Sequence, residues 1–255
     1  MTWNPERYLA FGDQRTRPAI DLLARVPLAS AAQIADLGCG PGNATRLLID
    51  RWPEAHVVGV DGSSDMLAKA AACGLAATWV EADIATWAPH EPLDLIYSNA
   101  ALHWLDDHGS LLPKLMSRLR PSGVLAVQMP RNFEAPSHAL LREIARDGPW
   151  AERLAGFLET PPVAPPGWYY DLLAPHAATV DIWETVYFHV LDGDDPVLRW
   201  TRSTTLRPVM EALDEKQFAA FEAAYAARLR EAYPRRPDGR TAFPFRRLFL
   251  VAERP

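Results

Sequence analysis

Three glycines within five residues, in "IADLGCGPGNATRLL" (34–48), constrain this chain more than any other stretch. The run before them is short and apolar, and the run after them has apolar residues at helical spacing, so the segment reads as strand, turn and helix. Gly38, Gly40 and Gly42 strip side chains from the turn. Main chain without Cβ atoms can pass close beneath a ligand, and the first N–H groups of the following helix point at it without intrahelical partners. The spacing is G-x-G-x-G, and Asn43 stands where the dinucleotide fingerprint has its third small residue. That departure argues against a nicotinamide or flavin enzyme.

The same rhythm continues to about residue 130. Apolar runs "QIADLGC", "HVVGVDG", "ATWVEAD", "LDLIYSNA" and "GVLAVQMP" alternate with the helix-like "NATRLLIDRW", "SSDMLAKAAACG" and "GSLLPKLMSRLRPSG". Such alternation predicts an α/β fold, a mostly parallel sheet with helices on both faces. Ser63 and Ser64 are candidate caps and Gly74 a stop. Beyond residue 130 the pattern changes to a helix at "PSHALLREIARDG", a proline-rich stretch "TPPVAPPGW" (160–168), a strand "ATVDIWETVYFHV", a mostly helical segment from about Pro196 to Tyr233, and a closing strand "FRRLFLVAERP". We expect one domain: a helical cover over 1–30, a ligand-binding core over 31–130, an acceptor-side part with a helical insertion over 131–246, and the closing strand over 247–255.

A chain of 255 residues, 49% hydrophobic, can bury a large core. Its net charge of −6 argues against nucleic acid or an anionic membrane as the main partner. Two cysteines, Cys39 and Cys73, make no disulfide framework, and no run approaches the roughly 20 apolar residues of a membrane span. The opening residues carry no secretory signal pattern. A cytoplasmic monomer without a metal is the expectation. The stretch "FAAFEAAYAARLREAY" mixes Glu222, Arg228, Arg230 and Glu231, which suits core packing better than a membrane face.

Asp61 follows Gly42 by 19 residues, at the end of the second strand, where a carboxylate can accept from both hydroxyls of a ribose. Asp83 ends the third strand, placed to accept from an exocyclic adenine amine, with Ile84 against the ring. All three elements leave the same sheet edge, describing a pocket for an adenosine-bearing ligand.

"DLGCGPG", "GVDGSSDML", "EADI" and "NAALHWL" resemble class I S-adenosylmethionine-dependent methyltransferases over about residues 30–130, and further segments extend the resemblance along nearly the whole chain. It implies a Rossmann-like sheet of seven strands with the last antiparallel, and adenosylmethionine, converted to adenosylhomocysteine, over the first two strand ends. It places Asp36 and Gly38 near the methionyl end, Asp61 at the ribose, and Asp83 and Ile84 at the adenine. Gly62, Met66 and Asn99 are assigned to the same pocket. The segments outside the core resemble members that esterify one carboxylate of a small tricarboxylate.

Such an acceptor is already ionised at neutral pH, since a carboxyl pKa is about 4, so no general base is needed. Binding a trianion to an acidic protein requires oriented donors, and arginine forks suit it. Arg131 and Asn132 follow the fifth strand, His103 and Trp104 the fourth. Tyr8, Arg15 and Arg17 lie in the cover, Tyr169 and Tyr170 beside the prolines, and Arg202 and Arg207 in the insertion. Each is a candidate donor, against solvated charge for the arginines and core packing for Trp104, while for His103 a donor or wall of the pocket is preferred to a catalytic base. A methyltransferase acting on another small acid or on carbon or nitrogen, and a non-catalytic adenosylmethionine sensor, stay open as alternatives.

Overall fold

The computed structural model describes residues 16–157, 160–202 and 204–255. Tyr8 and Arg15 lie outside them. The described chain groups into two compact units: one takes in the chain up to Pro130, Val163–Thr185 and Arg247–Pro255, the other Arg131–Pro162 and Val186–Arg246.

Helix α1 (Arg17–Ala24) precedes β1 (Gln33–Leu37), α2 (Asn43–Arg51), β2 (His56–Asp61), α3 (Ser64–Ala72), β3 (Thr78–Glu81) and β4 (Leu93–Asn99). A 3₁₀ turn at Leu102–Trp104 leads to α4 (His108–Ser117) and β5 (Leu119–Pro130). After α5 (Pro136–Asp147) and α6 (Pro166–Leu173) come β6 (Thr179–Leu191), α7 (Pro196–Arg202), α8 (Arg207–Ala212), α9 (Glu215–Ala232) and β7 (Thr241–Glu253).

The seven strands run in the order β3-β2-β1-β4-β5-β7-β6. β1 pairs in parallel with β2 and β4, β2 with β3, and β4 with β5, while β7 runs antiparallel to β5. The expected Rossmann-like α/β sheet is therefore present. Strand order reverses between β1 and β4, and ligands of open α/β sheets bind outside the carboxyl ends at such a reversal. That edge carries the glycine turn.

Parallel strands covered on both faces are apolar throughout, which is why Ile34, Ala35 and Leu37 of β1 and Leu95 and Ile96 of β4 are all fully buried. Ser63 caps α3 as expected, its Oγ accepting from Met66 N–H at 3.4 Å. Gly59 in β2 has a positional reason: a Cβ there would lie 2.5 Å from the Trp79 ring of β3.

In the second unit the long helical segment is three helices. Pro208 stands in the first turn of α8, and Asp214 caps α9 by accepting from Gln217 N–H at 2.9 Å. Phe221, Tyr225 and Leu229, spaced by four on α9, are buried with Phe243 and Phe245, so the amphipathic stretch packs a core. No described helix is long and apolar enough to cross a membrane.

Candidate functional site

The glycine turn is strained in the way only glycine tolerates. Gly38, Gly40 and Gly42 have φ of 72°, 54° and 87°. A Cβ on Gly38 would sit 2.1 Å from Ala101 Cβ and 3.6 Å from Ile84 Cδ1. The turn thus abuts both the segment after β4, which carries His103, and the predicted adenine contact.

Asp61 holds this turn. Its Oδ2 accepts from Gly40 N–H and its Oδ1 from Ser63 N–H, both at 2.9 Å. Each oxygen keeps a second lone-pair direction for another donor. Gly62 is exposed and Met66 is 38% exposed, an apolar side chain left uncovered beside Asp61. Asp83 is exposed, with Oδ1 accepting from Ala85 N–H at 2.9 Å, and Ile84 is half-buried.

Asp36, at the end of β1, is buried. Thr45 Oγ donates to its Oδ2 at 2.6 Å, while Oδ1 has no partner among the described residues. Burial pushes this carboxyl up to about 7, opposed by the Thr45 hydrogen bond and reinforced by the Asp61 charge. Asn99, at the end of β4, likewise has a buried Oδ1 without a partner. The next residue, Ala100, has φ of 57°, a left-handed backbone rare for a side-chain-bearing residue and most often found at functional sites.

His103 is half-buried and its Nδ1 has no partner among the described residues. Burial, then the nearby Arg247 and His108 charges, lower its pKa to about 3, so the imidazole is neutral at pH 7. Trp104 is 63% exposed, so the core packing weighed for it is not found; its ring lies 4.9 Å from that of His103.

Other donors are engaged elsewhere. Tyr169 is fully buried: its hydroxyl is 2.7 Å from His108 Nδ1 and accepts from Ala164 N–H at 3.3 Å, while His108 Nε2 donates to Leu102 O at 2.8 Å. Tyr169 therefore braces the segment after β4. We expect Tyr169→Phe to cost about 1–3 kcal/mol by stranding the His108 ring nitrogen. The melting temperature should fall by roughly 2–10 °C, with kcat nearly unchanged. Tyr170 is 54% exposed.

Arg131 lines a cavity of about 750 Å³ within the second unit, with Arg235, Arg236, Arg246, Val186 and Phe188. Asn132 is spent on structure: its Oδ1 accepts from Arg246 N–H at 2.8 Å and its amide donates to Arg246 O at 2.9 Å. Arg17 pairs with Asp21 at 3.8 Å, Arg202 with Glu222 at 3.3 Å, and Arg207 with Glu211 at 3.4 Å on the surface.

Two polar side chains at the same sheet edge escaped the sequence reading. Gln128 on β5 is fully buried, and Arg247 on β7 is 5% exposed and donates to Gln128 Oε1 at 3.3 Å. A polar residue inside an apolar strand was the available signal.

A family profile described as "Methyltransferase domain" matches residues 34–123. A trans-aconitate 2-methyltransferase of Azoarcus sp. (strain BH72) is 54% identical over 253 residues, 99% of each chain. One of Variovorax paradoxus (strain S110) is 49% identical over 257 residues, covering 100% of this chain and 99% of its own. Among solved structures, a putative methyltransferase from Bacillus halodurans C-125 superposes with a TM-score of 0.56 at 15% identity, over 93% of this chain and 98% of its own. At that identity the superposition speaks for the fold alone.

Proposed function

The chain belongs to the trans-aconitate 2-methyltransferase family of class I methyltransferases, and from that premise we propose how its residues carry the reaction. It is an S-adenosylmethionine-dependent methyltransferase that esterifies trans-aconitate. The observation that carries the reading of the site is the Asp61 carboxylate, anchored by the N–H groups of Gly40 and Ser63 with lone pairs to spare at the end of β2.

The residues fit the donor. The glycine turn leaves open space at Gly40, and two buried acceptor oxygens at the ends of the neighbouring strands β1 and β4, Asp36 Oδ1 and Asn99 Oδ1, have no partner among the described residues. Unsatisfied buried acceptors suit a cation, here the ammonium of the methionyl end. Asp61 takes the ribose, Asp83 and Ile84 the adenine, and Met66 and Gly62 the uncovered side of the nucleoside. When bound, adenosylmethionine supplies a methyl group on a sulfonium.

The protein has only to align and desolvate. Asp36, Asp61 and Asp83 hold the donor so that an acceptor carboxylate oxygen takes its methyl, exchanging a C–S bond for a C–O bond and leaving adenosylhomocysteine and a methyl ester. No proton moves, so no base is required, and a His103 neutral down to about pH 3 serves as wall and donor. Holding the reactants in a near-attack arrangement can contribute up to roughly 7–11 kcal/mol. His103, Trp104 and Tyr170 are proposed on the acceptor side. Two free cysteines, one of them exposed, accord with a reducing cytoplasm, where we place the protein as a monomer.

Isotopic methyl transfer to trans-aconitate, with methanol released on base hydrolysis of the product, tests the reaction. A methylated product that resists hydrolysis would sink it, as would cofactor binding without any product.

The Asp36 assignment has its own check. A cation beside Asp36 favours the carboxylate, so affinity for adenosylmethionine should fall as pH drops below about 7, by up to about tenfold per unit. Calorimetry in buffers of differing ionisation heat should find about half a proton released on binding at pH 7 and nearly a whole one at pH 6, where the ligand's ammonium stays protonated throughout. Equal release at both would remove Asp36 from the site.

A further inference from the structure

Among the described residues, the polar atoms without partners at the carboxyl edge of the sheet sort by chemistry. On β1 and β4 they are acceptors, Asp36 Oδ1 and Asn99 Oδ1. On β5 and the 3₁₀ turn they are Gln128 Nε2, an amide donor, and His103 Nδ1, which a neutral imidazole can present as N–H. Asn99 and Gln128 are partners in the β4–β5 register, and Ala100 N–H donates to Gln128 O at 2.9 Å. Behind Gln128 stands the guanidinium of Arg247, whose register partner on β5 is Pro130. Buried acceptors call for a cation and buried donors for an anion, and the reaction brings one of each to this edge.

We propose that Gln128 and His103 grip the acceptor carboxylate that receives the methyl group, with Arg247 as the positioning residue that orients Gln128. Resting on the function proposed above, this assigns the reacting end of the acceptor to residues of the central sheet. The amide of Gln128, oriented by Arg247 through Oε1, and the imidazole of His103 donate to the carboxylate. They hold its plane while one oxygen lone pair faces the methyl carbon. Charge-assisted bonds in a dry site are shorter and stronger than neutral ones in water. Gly38 meets Ala101, two residues before His103, so the cofactor turn and this grip share one wall.

The test is steady-state methyl transfer to trans-aconitate by Arg247→Ala and Gln128→Leu, alongside calorimetric binding of adenosylhomocysteine and a circular dichroism melt. Arg247→Ala should lower kcat/KM for trans-aconitate by about 100-fold, with adenosylhomocysteine bound as in the wild type. Added guanidinium ion should restore part of the loss, which a purely structural role would not produce. A kcat/KM within about threefold of the wild type in a folded Arg247→Ala protein would overturn the proposal. Should Arg247→Ala fail to fold, Gln128→Leu decides: a rise of about tenfold in KM for trans-aconitate is expected, and an unchanged KM overturns it. A wild-type protein that methylates no carboxylate would instead sink the reaction itself, so the two failures are distinguishable.

Discussion

Asp61→Ala is expected to raise the dissociation constant for adenosylmethionine by at least about 100-fold, with a correspondingly lost kcat/KM. The carboxylate does two things at once. In the proposed site it takes the ribose hydroxyls, and in the structure it fixes the glycine turn through Gly40 N–H while bonding Ser63 N–H at the entrance to α3. Alanine removes the ribose contacts and releases Gly40, so two charge-assisted interactions of about 1.5–3 kcal/mol each are lost, besides the loop order. Asp61→Asn keeps one acceptor oxygen and should fall between wild type and alanine. Titration calorimetry reads the series, and a dissociation constant for Asp61→Ala within about threefold of the wild type would remove the ribose assignment.

Gly38→Ala should be nearly as severe by another route. The new Cβ would overlap Ala101 Cβ at 2.1 Å, and φ of 72° is disfavoured for any side-chain-bearing residue. Left-handed backbone costs about 1–2 kcal/mol and overpacking about 1–3, so the melting temperature should drop by roughly 4–20 °C. Moving Ala101 would also displace the segment bearing His103, so methyl transfer should fail even where the protein folds. Gly40→Ala is the control. Its Cβ meets nothing within 4 Å, so only the backbone strain at φ of 54° is added. Equal melts for the two variants would show that the clash is not felt.

The parts of the fold that sequence made legible are those written locally. Gly38, Gly40, Gly42, Ser63 and Asp61 announce themselves by chain neighbours, because turns, caps and strand ends are decided within a few residues. The long segment after Pro196 reads as mostly helical, and where it breaks rests on Pro208 and on the cap at Asp214, signals a periodic count passes over. Acceptor-side chemistry was less legible, since it is assembled across the chain. Gln128 and Arg247 meet over 119 residues and only because β7 turns back against β5; His108 and Tyr169 meet over 61. In the sequence Gln128 and Arg247 look like blemishes in apolar runs. Trp104 sits in a pattern, "LHWL", whose apolar look suits a core, yet the 3₁₀ turn directs only Leu102 inward.

The side chain of Asn132 imitates one more rung of main chain, returning both hydrogen bonds to Arg246 just past the point where Pro130 and Arg247 face each other. Chain that departs at residue 130 and chain that comes home at residue 247 are therefore stitched together at the root. Lengthening, trimming or rewriting the intervening excursions need not disturb the register that sets Arg247 beside Gln128. Changes confined to 133–162 or 192–240 thus leave the root of the two chain passages as it is.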